Sequence, residues 1–458
     1  MFNEKRRAAW RPFWKIDRVS PARIIIFGFL GLILLGTALL MLPFSTREWG
    51  GASFFDALFT ATSATCVTGL VVHDTASYWS GFGQLVLLCL IQVGGMGVVT
   101  VAVATFIFSG RRIGLKQRWV MQESISAPQV GGIVRMTGFI LKTAFAIEGI
   151  GAAVLAVRFC PRFGLRRGVW YAIFHAVSAF CNAGFDLMGR EAPFSSLTAY
   201  AGDPVLNGTV MLLIVVGGLG FLTWQDVAAH GRHLKEYRLQ SKLILATTAA
   251  LLLSGFLFFL FYEFRLPQWA GMTVGEKVLA ALFQSVTPRT AGFNTVDLAR
   301  MSGPSQLVTI LLMLTGGSPG STAGGFKTTT LAVLLLSAAA VFRRRRSAQC
   351  FGRRIQEPAL QNACAIFLLY LLLFLAGGIL ICCIDGAPLM DALFEAASAI
   401  GTVGLSLGGT GRFSLPSRMI LIFLMYFGRV GGLTMIYAVT AGNGTSAPQF
   451  PQEPVTVG

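Results

Sequence analysis

Long apolar runs separated by short polar breaks dominate the chain. Eight reach the roughly 20 residues that a transmembrane helix needs, at about 24–43, 81–108, 136–159, 204–228, 243–263, 305–341, 361–383 and 416–441. Inside each successive pair lies a shorter apolar stretch of about 12 residues, near 54–65, 168–180, 276–287 or 389–400. Such a stretch is too short to cross the hydrocarbon core, so it predicts a re-entrant helix. The unit of the chain is therefore span, half-span, loop, span.

The polar breaks after the half-spans recur. They read Thr65-Cys66-Val67-Thr68-Gly69, Phe180-Cys181-Asn182-Ala183-Gly184, Pro288-Arg289-Thr290-Ala291-Gly292 and Ile400-Gly401-Thr402-Val403-Gly404. Phe59, Phe174 and Phe394 each precede their glycine by ten residues, and Phe283 precedes Gly292 by nine. A second glycine signature follows in the later spans, as Gly94-Gly95, Gly217-Gly218 and Gly428 to Gly432. The interval from Gly69 to Gly94 is 25 residues, and those from Gly292 to Gly316 and from Gly404 to Gly428 are 24. The interval from Gly184 to Gly217 is 33, lengthened by an insertion containing Pro193 and Pro204. The expected fold is an all-α integral membrane protein with eight transmembrane helices, built as four pseudosymmetric repeats around one central pore. The repeats occupy 21–118, 119–238, 239–346 and 347–442, between a segment at 1–20 and a tail at 443–458.

Only the third unit is expected to have an interrupted second span, at Thr315-Gly316-Gly317-Ser318-Pro319-Gly320-Ser321-Thr322-Ala323-Gly324-Gly325-Phe326-Lys327. An ordinary helix does not continue through that run, and irregular backbone at membrane depth is tolerated where protein encloses it or water fills the space beside it. The loop 315–327 is a candidate gate; the alternative is a passive break that lets helices pack closely.

Composition agrees with membrane insertion, with 54% hydrophobic and 12% charged residues against about 25% charged in soluble proteins. The net charge of +17 does not require nucleic acid, because its distribution is topological. With both termini in the cytoplasm, 22 of the 37 basic residues fall on that side, the positive-inside bias. The run Arg343 to Arg346 reads as such an anchor, whereas Arg158, Arg162, Arg166 and Arg167 form a contrary cluster outside. Residues 1 to 18 are basic and aromatic without a cleavable signal's apolar core. The eight cysteines have neither metal-ligand spacing nor a disulfide framework.

A monovalent cation crossing a bilayer must have its hydration shell replaced, and rings of backbone carbonyls can do this. The four loops can supply such rings, because each follows the carbonyl end of a half-span, where a helix dipole favours a cation. Asp56 is the expected N-cap of the first half-span. Recurrence favours this reading over four unrelated glycine turns. Charges within the membrane cost about 2.5 to 3.5 kcal/mol on insertion scales, so Lys142, Glu148, His175, Arg289, Lys327, Glu395 and Arg429 need partners or water. Lys327 and Arg429 either hold the gate closed by hydrogen bonding or snorkel to the cytoplasmic interface. Arg289 is expected to point behind its loop, because facing the ion would be repulsive. Glu395 and His175 occupy equivalent places on two half-spans and suit structural hydrogen bonds. The sequence has no phosphate-binding Gly-rich loop followed by Lys-Ser or Lys-Thr, no His-Glu-x-x-His and no Gly-x-Ser-x-Gly, so it does not read as an enzyme.

The stretches Ala61 to Leu70, Cys181 to Phe185, Thr287 to Thr295 and Gly401 to Leu405, with Gly316 to Gly325 and Lys327 to Thr330, resemble the Trk/Ktr/HKT superfamily of potassium transporters over nearly the whole chain. Eight spans without an extra N-terminal pair are closer to the Ktr-type membrane subunit than to the longer TrkH proteins. The resemblance implies K+ as substrate and Gly69, Gly184, Gly292 and Gly404 as filter glycines. It also implies uptake that is often sodium-dependent, with Na+ coupled, activating or irrelevant, a homodimer in a prokaryotic plasma membrane, and nucleotide control through a separate cytosolic ring of the KtrA/TrkA type. Serine replaces the first filter glycine in sodium-conducting plant relatives, so Gly69 favours potassium. Arg429 matches the family's last-span arginine, with Gly432 where proline is expected. A secondary ion-coupled transporter with broken helices is the competing class.

Overall fold

The structure is a computed structural model describing residues 20–98, 100–101, 115–124, 132–190, 192–345, 347–432 and 434–436. The expected N-terminal segment through residue 19, the tail at 443–458, the far ends of the spans at 81–108 and 416–441, and Arg346 lie outside the described residues.

Four long helices, α1 (Pro21–Leu40), α5 (Ile133–Phe163), α9 (Leu239–Phe261) and α13 (Glu357–Asp385), lie in apolar stretches long enough to cross a membrane. Their outward faces carry side chains such as Phe27, Leu35, Leu253 and Leu372, all more than half exposed. In lipid such surface needs no protein cover, so these faces read as bilayer contacts. Each long helix precedes a short one, namely α2 (Phe54–Thr65), α6 (Leu165–Phe180), α10 (Val274–Val286) and α14 (Leu389–Gly401).

The short helices start and stop for local reasons. Thr273 caps α10, and Glu276 completes a capping box by accepting from the Thr273 backbone N–H at 2.8 Å. At α2 the cap is Ser53, which accepts from the Asp56 N–H at 3.2 Å. Asp56, the expected N-cap, instead lies one turn in and accepts from the Ser53 hydroxyl at 2.8 Å. Phe59, Phe174, Phe283 and Phe394 are all essentially buried. The first and last belong to one hydrophobic cluster and the middle two to another, so the short helices share two cores.

The second helix breaks in every unit, whereas the sequence predicts a break only in the third. Those helices are α3 (Gly81–Met96), which α4 (Leu115–Ser124) follows, α7 (Pro204–Gly218), α11 (Gly303–Leu314) and α15 (Leu415–Val430). The third is interrupted, as its sequence predicts, and resumes as α12 (Thr328–Phe342). The others break too. Gly97, Gly220 and Gly431 follow at φ of 86°, 91° and 91°, and α7 bends by 98° into α8 (Phe221–His230). Left-handed backbone ends an α-helix, and glycine adopts it without a Cβ penalty. The glycines just before the breaks serve close approach: a Cβ on Gly94, Gly217 or Gly428 would overlap the carbonyl oxygen of Thr65, Phe180 or Ile400, respectively. Each of those carbonyls lies four residues before a loop glycine, so the second helices press their backbones against the ends of the short helices. A continuous apolar run concealed this.

Candidate functional site: a ring of four glycine loops

Each short helix ends in a loop of the same backbone shape. Val67, Asn182, Thr290 and Thr402 have φ of 50°, 57°, 65° and 51°. Two residues later, Gly69, Gly184, Gly292 and Gly404 have φ of 90°, 69°, 79° and 94°. Left-handed backbone costs a non-glycine residue about 1–2 kcal/mol, so four such residues at equivalent places mark a conformation held by its surroundings.

The loops also close on one another in order. A Cβ on Gly69 would lie 2.5 Å from the Ala183 carbonyl oxygen, and one on Gly184 would lie 2.8 Å from that of Ala291. A Cβ on Gly292 would overlap the Val403 oxygen, and one on Gly404 the Thr68 oxygen. The sequence of contacts runs from first loop to second, third, fourth and back to first. The glycines therefore form one ring, each against the carbonyl that precedes the next glycine.

Hydroxyls on the short helices brace this ring, a feature the sequence reading missed. Ser63 accepts from the Gly69 N–H at 3.1 Å, and Ser398 accepts from the Gly404 N–H at 3.0 Å. Ser178 donates to the Phe185 carbonyl at 2.7 Å, and Thr287 donates to that of Phe293. The signal was available, since a hydroxyl residue stands six positions before each loop glycine, or five in the third loop. Further out, Glu395 accepts from Ser406 and, at 2.6 Å, from Thr410. His175 bonds the Tyr171 carbonyl through Nδ1 at 2.7 Å and accepts from the Leu187 N–H through Nε2 at 3.4 Å. Both side chains tie a short helix to the chain that follows its loop. Arg289 is buried and directed away from the ring, donating to the Thr248 hydroxyl on α9 at 3.5 Å. Glu148 accepts from the Gln92 amide at 3.0 Å, whereas Lys142 is exposed. The hydroxyls of Thr65, Thr68, Thr290 and Thr402 are buried without a hydrogen bond, leaving oxygen donors beside the ring carbonyls.

On one side the ring opens into a cavity of about 520 Å³, whose floor is the four glycines and whose walls include Asp74, Asp186, Asp297 and Arg412. The Asp74 carboxylate is already occupied by the backbone of Ala76, Ser77 and Phe194. Asp186 lines the cavity and accepts from the Met188 N–H at 2.9 Å. Burial raises its carboxyl to about 7 against that hydrogen bond, with a smaller contribution from the charge of Asp74.

On the other side the segment 315–327 lies against the ring. Thr322 donates to the Phe180 carbonyl at 3.1 Å and to the Asn182 side chain at 2.9 Å. A Cβ on Gly324 would overlap the Thr402 hydroxyl. The segment is hydrogen-bonded to the broken second helices of the second and fourth units. Ser318 N–H donates to Gly218 at 3.0 Å, Gly325 N–H to Gly428 at 3.0 Å, and Phe221 N–H to Gly320 at 2.7 Å. Lys327 donates to the carbonyls of Ala323 and Gly324, at 2.9 and 3.3 Å. Arg429 donates to the carbonyls of Thr322 and Gly94 and, at 3.0 Å, of Gly95. It thus joins the segment to the end of α3 rather than reaching for an interface.

Fold and site together define a helical membrane protein of the cation-transport class, with four glycine loops in a ring between a cavity lined by three aspartates and the segment 315–327. The sequence profile of the TrkH family, described as a cation transport protein, matches residues 24–442, and the chain belongs to that family. It is a transporter, not an enzyme. It is 40% identical over 447 residues to the potassium/sodium uptake protein NtpJ of Enterococcus hirae, covering 96% of this chain and 98% of that one. The Ktr system potassium uptake protein B of Bacillus subtilis is 37% identical, over 92% of this chain and 93% of its own. The potassium transporter TrkH of Vibrio parahaemolyticus shares the fold, with a TM-score of 0.72 and 20% identity over 94% of this chain and 86% of that one.

Proposed function

We propose that the protein is the potassium-translocating membrane subunit of a Ktr-type uptake system, passing K+ through one filter of backbone carbonyls. The observation that carries this reading is the cyclic closure of the four glycine loops. Such a ring replaces a hydration shell without moving side chains. In this reading the filter residues are those of the four loops: Thr65 to Gly69, Phe180 to Gly184, Pro288 to Gly292 and Ile400 to Gly404. The segment Gly316 to Gly325 is the gate, held by Lys327 and Arg429. The acidic cavity faces outside and both termini face the cytoplasm, with each broken second helix counted as one of eight spans. The names of the Ktr relatives support a system of several components, here a homodimer docked on a cytosolic nucleotide-binding ring. The name of the Enterococcus relative supports a role for sodium.

The test is rubidium and sodium uptake into proteoliposomes with the regulatory subunit present. Rubidium uptake well above sodium uptake is expected, and equal uptake, or none, overturns the assignment. A second expectation concerns external pH. The Asp186 carboxyl is charged above about 7 and neutral below it. Acidifying the outside from pH 8 to pH 6 therefore removes a negative charge from the cavity, and rubidium uptake at limiting concentration is expected to fall severalfold. Asp186→Asn is expected to abolish that difference; a variant that keeps the full dependence shows that another group titrates.

A further inference from the structure

The four outside arginines that opposed the charge bias do not form one group. Arg158 pairs with Asp203 at 3.1 Å, and the Arg162 guanidinium lies over the rings of Phe163 and Tyr200 at 5.6 and 5.1 Å. Both therefore have partners within the protein. Arg166 and Arg167 instead line a separate pocket of about 490 Å³ together with Arg47 and Arg190. Chain segments before α2 and after the second loop thus bring two further guanidiniums to the start of α6. All four arginines are exposed, and among the described residues none is ion-paired with a carboxylate.

Three features distinguish this pocket from an ordinary solvated face and suit it to an anion. First, Arg166 and Arg167 stand in the first turn of α6, a 16-residue helix whose N-cap Gly164 offers no side-chain acceptor. Cations are unfavourable at that positive end, and anions are favoured there. Second, Arg47, exposed at its tip, is held below its ordinary value first by partial loss of water and next by the charge of Arg190, with Arg167 adding to it. The nearby carboxylate, Asp74, has its oxygens committed to Ala76, Ser77 and Phe194. Third, the floor is fixed: Trp170 Nε1 donates to the buried Gln84 side chain at 3.0 Å, and the Gln84 amide donates to the Trp79 carbonyl at 3.1 Å.

The apolar side of the pocket identifies the occupant. Leu85 is part of its wall, and Phe82, Leu165 and Val169 are exposed on the same helices, the kind of surface that lipid covers. Guanidiniums match phosphate oxygens bidentately, and a ligand with both a phosphate and acyl chains fits both halves. From this juxtaposition, four guanidiniums without an ion pair among the described residues beside an apolar wall, we infer a binding site for the phosphodiester of a net-anionic phospholipid. Its assignment to the outer leaflet rests on the orientation proposed above; the binding itself does not.

The test reads binding rather than ion flux, so its failure is separate from failure of the transport reading. The full-length protein in detergent is titrated with dioleoyl phosphatidylglycerol, and retained lipid is counted by native mass spectrometry. Dioleoyl phosphatidylcholine and inorganic phosphate serve as parallel probes. Phosphatidylglycerol is expected to bind at least tenfold more tightly than phosphatidylcholine, whose choline the arginines repel. The Arg166→Gln/Arg167→Gln variant is expected to weaken phosphatidylglycerol binding at least tenfold. Arg190→Gln, outside any helix, weakens it severalfold and covers the case of a misfolded double variant. Arg353→Gln, in the exposed hairpin of 349–354, leaves it unchanged. Equal binding of the two lipids, or undiminished phosphatidylglycerol binding by the arginine variants, overturns the site. Binding of inorganic phosphate with no retained phosphatidylglycerol makes the ligand a soluble phosphate and overturns the lipid assignment.

Discussion

Replacing Gly69 by serine is expected to lower the rubidium-to-sodium uptake ratio at least tenfold, with the helical fold preserved. Two effects act together. At φ of 90° the backbone is one that L-residues rarely adopt, costing about 1–3 kcal/mol. A Cβ built there would also lie 2.5 Å from the Ala183 carbonyl oxygen and 3.1 Å from the Gly184 Cα. The neighbour is backbone, not the end of a flexible side chain, so relief requires the first or second loop to move. The same carbonyl is an element of the ring, and its displacement changes the oxygen cage directly. A tenfold change corresponds to about 1.4 kcal/mol, well within the energy of that overlap. Gly208→Ser is the control. Gly208 lies within α7 with nothing within 4 Å of its Cβ position, so both uptake ratio and thermal midpoint should stay unchanged. A Gly69→Ser protein with unaltered selectivity would remove the ring as the selecting element.

Deleting part of the segment Gly316 to Gly325, or replacing Arg429 by glutamine, is expected to raise rubidium uptake at least tenfold without altering the rubidium-to-sodium ratio. Arg429 joins the segment to α3 through three carbonyls, and hydrogen bonds from charged groups contribute about 1.5–3 kcal/mol each. Losing them removes much of what holds the segment against the ring. The open population then rises tenfold for each 1.4 kcal/mol or so of lost closure. Lowered thermal stability is expected to accompany the change, because the same bonds link the first, third and fourth units. The uptake ratio separates gating from damage to the filter, since a gate changes both cations alike. Unchanged uptake after shortening the segment would show that it does not limit flow.

The legible features share one property, repetition along the chain. Apolar stretches near 54–65, 168–180, 276–287 and 389–400 match α2, α6, α10 and α14 within a few residues, because their ends are set by neighbouring residues: Ser53 and Thr273 cap two of them, and Gly164 and Pro388 begin the others. The four loop glycines and the break at 315–327 were visible for the same reason. Asp56 was misplaced because capping depends on which residue first leaves the helix, and Ser53 takes that role. The breaks after α3, α7 and α15 were hidden inside apolar runs. A hydropathy pattern records where backbone is buried in lipid or protein, not whether a glycine has turned left-handed against a neighbour's carbonyl.

The sequence by itself determined that the chain is a membrane protein of repeated helix, half-helix and glycine loop, because apolar length and glycine spacing are properties of consecutive residues. Only the tertiary structure decided the order in which the loops meet, with Gly69 against Ala183 and Gly404 against Thr68. It also decided that Ser63, Ser178, Thr287 and Ser398 brace them, that Arg429 reaches back 335 positions to Gly94, and that of the four outside arginines two meet partners within the protein and two line a pocket. Those contacts join residues far apart in the chain, and the directions in which backbone carbonyls and long side chains point are fixed only when the four loops meet.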